Sequence, residues 1–181
     1  MSKLPCNGHD AFEKAINDGY KFIDKTMYIT LMTDYPVVLL CRPRRFGKSL
    51  FTSMLRSYFE GKKNLFKGMA IHSTLSTDEY PVIHFNFSKG NLSLKATLKA
   101  LVTAEAARHS ITLSKTNEVD DLLGDLVINL KKKFGKNVVL LIDDYDHPLQ
   151  DFFSSEGKNS QRALNTRLDH YKTFFTTVKA L

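Results

Sequence analysis

The sequence predicts an α/β fold on a mostly parallel sheet, and three observations carry that expectation. Two aliphatic runs, Val37 to Cys41 and Val138 to Ile142, are too short for helices and carry no polar position, the pattern of strands covered on both faces. Longer segments between and after them repeat apolar residues at helical spacing. The resulting order, βαβααβα, is that of parallel strands joined by crossover helices. With 181 residues, 43% hydrophobic and only nine Gly and five Pro, the chain has enough apolar surface for one core and is neither disordered nor fibrous in composition.

Asp10 to Asp18 reads as a short helix closed by Gly19, followed by an extended Tyr20 to Asp24 and a helical stretch through Thr26 to Met32. Val37 to Cys41 is the first strand, with Cys41 as a small buried hydrophobe. From Lys48 the positions Leu50, Phe51, Met54, Leu55, Tyr58 and Phe59 describe one helix face, and Gly61 stops it. Val82 to Phe87, β-branched and aromatic, is the second strand, and Ser88 to Asn91 end it. Leu94, Leu98, Leu101, Val102 and Ala106 mark a helix over Leu92 to His109. Asn117 is the expected cap of the next, whose apolar stripe runs from Val119 to Leu130. Lys131, Lys132, Lys133 and Lys136 suit the negative pole of that helix, the alternative being a nucleic-acid patch. Val138 to Ile142 is the third strand; after a polar loop over Ser154 to Ser160, Leu164 to Val178 form a last helix.

A net charge of +7 favours a polyanionic partner such as nucleotide phosphates, nucleic acid or anionic lipid, without choosing among them. The longest aliphatic runs fall far short of the ~20 residues that cross a bilayer. Met1 to Asp10 lacks the apolar stretch of a signal peptide, so a cytoplasmic location is expected. Two cysteines, Cys6 and Cys41, make no disulfide framework, and six scattered histidines without Cys partners point away from zinc.

Arg42-Pro43-Arg44-Arg45-Phe46-Gly47-Lys48-Ser49 stands between a strand and a helix, the context of a phosphate-binding P-loop. In such a loop backbone N–H groups and the helix N-terminus surround the β-phosphate, the lysine bridges β- and γ-oxygens, and the next hydroxyl holds Mg²⁺. Gly47, Lys48 and Ser49 fill those places. Arg42 replaces the first glycine of the usual pattern, and Pro43 removes one N–H. Roughly 95 residues beyond Lys48, four aliphatics run into Asp143 and Asp144, a Walker B pattern in which Asp143 enters the Mg²⁺ shell and Asp144 polarises the attacking water. Two solvated acids at a turn are the alternative.

Arg42 to Leu50 (RPRRFGKSL), Phe22 to Thr26 (FIDKT), Leu65 to Ile71 (LFKGMAI) and Leu141 to Leu149 (LIDDYDHPL) resemble the AAA-ATPase-like family, and the likeness runs through nearly the whole chain. The resemblance implies a P-loop NTPase-type three-layer αβα fold with ATP and Mg²⁺ as cofactors. Residues 1–181 would be one ATPase-like domain at the front of a longer module, with 1–35 as a lead-in. Its implied nucleotide contacts are Arg44, Arg45, Phe46, Gly47, Lys48, Ser49 and Leu50, with Lys48 and Asp144 catalytic and Ser49 and Asp143 on the metal. Arg44 and Arg45 read equally as an exposed loop rim. Asp24, Lys25 and Thr26 read either as an adenine-side lead-in or as a helix N-terminus, and Asp146 and His147 either as a polar turn with Pro148, the favoured reading, or as groups that orient Asp144 or capture a second metal.

Two departures qualify the resemblance. The family usually carries Glu where Asp144 stands, so ATP turnover by this chain is expected to be weak or absent. Family members also continue into a sensor strand and often a nuclease domain, so the expected fold is truncated before that strand. The P-loop and Walker B strands are then not expected to pair. A nucleotide-binding ATPase module is the leading expectation, with a downstream nuclease or an oligomer as its partners. A nucleic-acid-binding module and a non-catalytic interaction fragment are the alternatives.

Overall fold

The computed structural model describes residues 12–41, 43, 46–76, 78–88, 93–116, 118–154 and 161–180. The chain divides into two compact units, Met1–Val82 and Ile83–Leu181. Among the described residues no helix is long and apolar enough to cross a membrane.

The first unit is helical. It contains α1 (Phe12–Asn17), α2 (Tyr28–Thr33) and α3 (Lys48–Phe59), followed by 3₁₀ turns at Lys63–Phe66 and Ala70–Thr74. Gly19 and Gly61 stop helices as expected: both have positive φ, 70° and 73°, and both complete Schellman caps. At Gly61 the Lys62 N–H reaches the Ser57 carbonyl and the Gly61 N–H the Tyr58 carbonyl. Phe12, Ile29, Phe51, Met54, Phe66 and Ile71 form the core of this unit. The buried Phe12 N–H donates to Ser53 Oγ at 2.8 Å, and Ser53 Oγ donates to the Leu50 carbonyl, so α1 is fixed to the first turns of α3.

The first strand expected from the sequence is absent. Residues 37–41 form no strand, Val37 is 81% and Leu39 70% exposed, and Cys41 is exposed as well; only Leu40 packs against the core. An apolar β-branched run has the composition of a buried strand, but a strand exists only where a neighbour completes its hydrogen-bond ladder. No ladder reaches this segment among the described residues.

The second unit is mixed. A small parallel sheet pairs β1 (Val82–Asn86) with β2 (Val139–Asp143), and the ladder continues to a bond from the Phe87 N–H to the Asp143 carbonyl at 3.1 Å. Helices α4 (Leu94–Arg108), α5 (Val119–Phe134), α6 (His147–Ser154) and α7 (Gln161–Ala180) complete it. Its core joins Ile83, Phe85 and Phe87 of the first strand region to the expected stripes Leu94, Leu98, Val102 and Ala106 of α4 and Val119 to Leu130 of α5, with Phe174 from α7.

Some expectations change here. β2 is half-buried along its aliphatic length instead of covered on both faces, since among the described residues its sheet contains two strands; Asp143 is its one buried residue. The polar turn expected at Asp146 to Pro148 is the start of α6, with Pro148 in the first turn, where its missing N–H costs nothing. Glu118 stands at the N-cap position of α5 without a side-chain capping bond; Asn117, the strand-ending residues 89–92 and the loop over 155–160 lie outside the described residues. Lys131, Lys132 and Lys133 occupy the last turn of α5, and Lys133 Nζ donates to the His109 carbonyl at 2.7 Å.

Candidate functional site

The loop-helix group belongs to the first unit and the acidic group to the second. In the first unit, α3 begins at Lys48 with Gly47 as its N-terminal flanking residue at φ +75°. A Cβ at Gly47 would meet nothing within 4 Å, so glycine is required there by backbone conformation and not by crowding. Among the described residues no side chain caps this helix start. The first-turn amides therefore keep donor capacity that an anion can use, beside Lys48 and Ser49, both half-buried. Leu50 is half-buried and packs against the core, while Phe46 is 60% exposed. Arg44 and Arg45 lie outside the described residues.

Asp24 and Thr26 have a structural assignment. Asp24 Oδ1 accepts from the Thr26 N–H at 2.8 Å and from the Thr26 hydroxyl at 2.7 Å, while Asp24 Oδ2 accepts from the Ala70 N–H at 2.8 Å. The Thr26 hydroxyl in turn accepts from the Ile71 N–H at 3.2 Å. The two side chains thus cap the 3₁₀ turn that starts at Ala70, joining the FIDKT and LFKGMAI segments. Burial pushes the Asp24 carboxyl up, but the hydrogen bonds from Ala70 and Thr26 outweigh it and hold the pKa below its ordinary 3.8.

In the second unit Asp143 ends β2 and is buried. Its Oδ1 accepts from the Asp144 N–H at 3.1 Å, and its Oδ2 is buried with no hydrogen-bond partner among the described residues. Asp144 follows at φ 51°, a left-handed conformation that Asp tolerates better than longer side chains. The turn closes on α6 through the His147 N–H and the Asp144 carbonyl at 3.0 Å, and Gln150 bonds the Asp146 carboxylate.

A family model described as predicted AAA-ATPase matches residues 7–181. The chain belongs to the AAA-ATPase-like family. An uncharacterized protein in the vnfD 5′ region of Azotobacter chroococcum mcd 1 is 32% identical over 156 residues, 82% of this chain. The chain spans about 30% of that relative's length. No solved structure matches.

The AAA-ATPase-like chain offers a chemically suitable place for a divalent cation. A buried carboxylate oxygen without a donor is costly unless a cation or an ordered water completes it. Mg²⁺ needs no dense ligand cluster, since it keeps several waters and takes one or two carboxylates together with substrate phosphates. No group of three or more metal-ligating side chains occurs among the described residues.

Two contacts to the acidic turn are not legible in the sequence. Tyr171 donates its hydroxyl to the Tyr145 carbonyl at 2.6 Å, and Arg167 Nη1 donates to the Pro148 carbonyl at 2.8 Å. Burial pushes the Tyr171 hydroxyl up to about 12, the Asp146 carboxylate adds to the shift and Arg167 opposes it, so Tyr171 is a protonated donor at neutral pH. The sequence shows Tyr171 only as an apolar position on a helix. Its partner is a main-chain oxygen 26 residues away, which no side-chain pattern encodes.

Proposed function

We propose that this chain is an Mg²⁺-dependent ATP-binding P-loop module, and that the longer protein hydrolyses ATP with it. The observation that carries the reading is the start of α3 on Gly47-Lys48-Ser49, with no side-chain cap among the described residues, in a chain of the AAA-ATPase-like family. The amides of the first turn and the Lys48 ammonium bind the β- and γ-phosphates, a charge-assisted arrangement at the positive end of the helix. Phe46 and Leu50 flank that turn, and Arg44 and Arg45 extend its positive charge. Ser49 of the first unit and Asp143 of the second are each suited to Mg²⁺, which when bound neutralises charge on the phosphate oxygens. Asp144 orients water at the γ-phosphate; its side chain is one methylene shorter than Glu, which favours slow turnover.

The reading entails a three-layer P-loop fold in which residues 37–41 become a strand once a neighbouring strand is supplied. Their apolar, β-branched composition supports that role. Isothermal titration of ATP, with Mg²⁺ present, into the wild type and into Lys48→Ala tests the proposal. Wild-type binding with at least a tenfold loss in the variant is expected. Equal binding by the two proteins would overturn it.

A further inference from the structure

We infer that Tyr171 and Arg167 on α7 are positioning residues that hold the acidic turn carrying Asp143 and Asp144 in the geometry its metal chemistry requires. The inference rests on the nucleotide reading above and adds to it a role for the last helix. Only Asp144, Tyr145 and Asp146 separate the end of β2 from the start of α6, so the direction of both carboxylates follows the backbone of this short connection. Asp144 holds φ 51° within it. A non-glycine residue persists in that conformation when its surroundings fix it.

Helix α7 supplies the fixation. The Tyr171 hydroxyl reaches the Tyr145 carbonyl at 2.6 Å, and Arg167 reaches the Pro148 carbonyl at 2.8 Å. The two grips fall on either side of His147, the first residue of α6, and come from side chains four residues apart, which share one helix face. Aromatic packing locks the tyrosine: its ring is stacked at 11° on Phe175, which also meets Tyr145 edge-on at 6.1 Å. Docking of α7 does not need the hydroxyl, because Phe174 is already packed against Phe85 and Phe87 in the core. What the hydroxyl adds is a bond to the chain next to the acids. Groups that orient a metal-binding side chain without touching the metal typically change metal affinity severalfold or more.

Tyr171→Phe keeps the ring and removes only the hydrogen bond. The test titrates ATP into the full chain over a range of Mg²⁺ concentrations, beside urea unfolding and amide hydrogen exchange. The variant is expected to bind ATP without Mg²⁺ as the wild type does. It should need about threefold to tenfold more Mg²⁺ for the half-maximal effect, and it should exchange the His147 amide faster at an unchanged unfolding midpoint. Arg167→Lys, which keeps the charge and can still donate one bond, should show a smaller shift of the same sign; it carries the test if Tyr171→Phe does not fold. An unchanged Mg²⁺ requirement in both variants overturns the inference, as does a loss of affinity that is equal with and without Mg²⁺ and follows stability. A wild type that binds no Mg-ATP overturns the nucleotide reading itself, and with it this one.

Discussion

Single residues in the left-handed backbone region mark where this chain commits to its turns. Gly47 at +75° and Ser110 at 54° make a matched pair, one glycine and one not. Ser110 sits where a glycine would close α4: its N–H bonds the Ala107 carbonyl and the Ile111 N–H the Ala106 carbonyl, a Schellman cap with a β-carbon in it. Gly47→Ala is therefore expected to destabilise the protein by about 1 kcal/mol. Ser110→Gly should stabilise by about 0.5 kcal/mol, the relief of strain being partly offset by the freer unfolded chain. Urea unfolding of both variants checks the pair, and equal effects of one sign would contradict the argument. Asp144 obeys the same rule at φ 51°: the conformation tolerates Asp, so the shorter acid at this position has a backbone reason.

Among the elements, the 3₁₀ turn at Ala70–Thr74 depends on side chains of the lead-in, since Asp24 and Thr26 supply the acceptors its first amides lack within the turn. The Asp24 carboxyl is held below 3.8 in the folded state. The charged form is therefore the one the fold favours, and its contribution is complete above pH 3.8 and lost as the pH falls through the lowered value. Asp24→Asn should lower the urea midpoint at pH 7, and the gap between variant and wild type should narrow on acidification below about pH 4. A gap independent of pH would show that the carboxylate charge has no part in the cap. The FIDKT segment thereby has a structural role in the turn at Ala70. Neither composition nor spacing can tell a lead-in beside a nucleotide base from a cap 46 residues distant, because the partner is the amide of Ala70.

For the whole molecule, apolar exposure is concentrated in the first unit. Ile23, Leu31, Tyr35, Val37 and Leu39 are all exposed, and residues 37–41 combine β-branched side chains, no charge and no ladder. That combination favours edge pairing with another chain, and a net charge of +7 opposes it at low salt. The protein is expected to associate with rising concentration and ionic strength. Val37→Lys together with Leu39→Lys should suppress association in light scattering without shifting the thermal midpoint, because neither side chain is buried. A large loss of thermal stability would instead identify the segment as core.

Much of the architecture was legible in the sequence because local rules write it there. Helical periodicity located α3, α4, α5 and α7, positive-φ glycines stopped α1 and α3, and β-branched and aromatic enrichment located β1. The Gly47-Lys48-Ser49 start of α3 and the acid pair closing β2 were equally visible, since the chemistry fixes residue type and local order together. Tertiary structure decided what depends on partners distant in the chain. It left residues 37–41 without a ladder, turned Asp146 to Pro148 into the entry of α6, gave Asp24 to Ala70, buried an oxygen of Asp143 without a donor, and tied Tyr171 to Tyr145. The physical reason is common to all five. A strand, a cap or a positioned carboxylate is completed by main-chain groups, and every residue carries the same N–H and C=O, so the sequence shows which side chains can seek such a partner while only the folded chain brings one within reach.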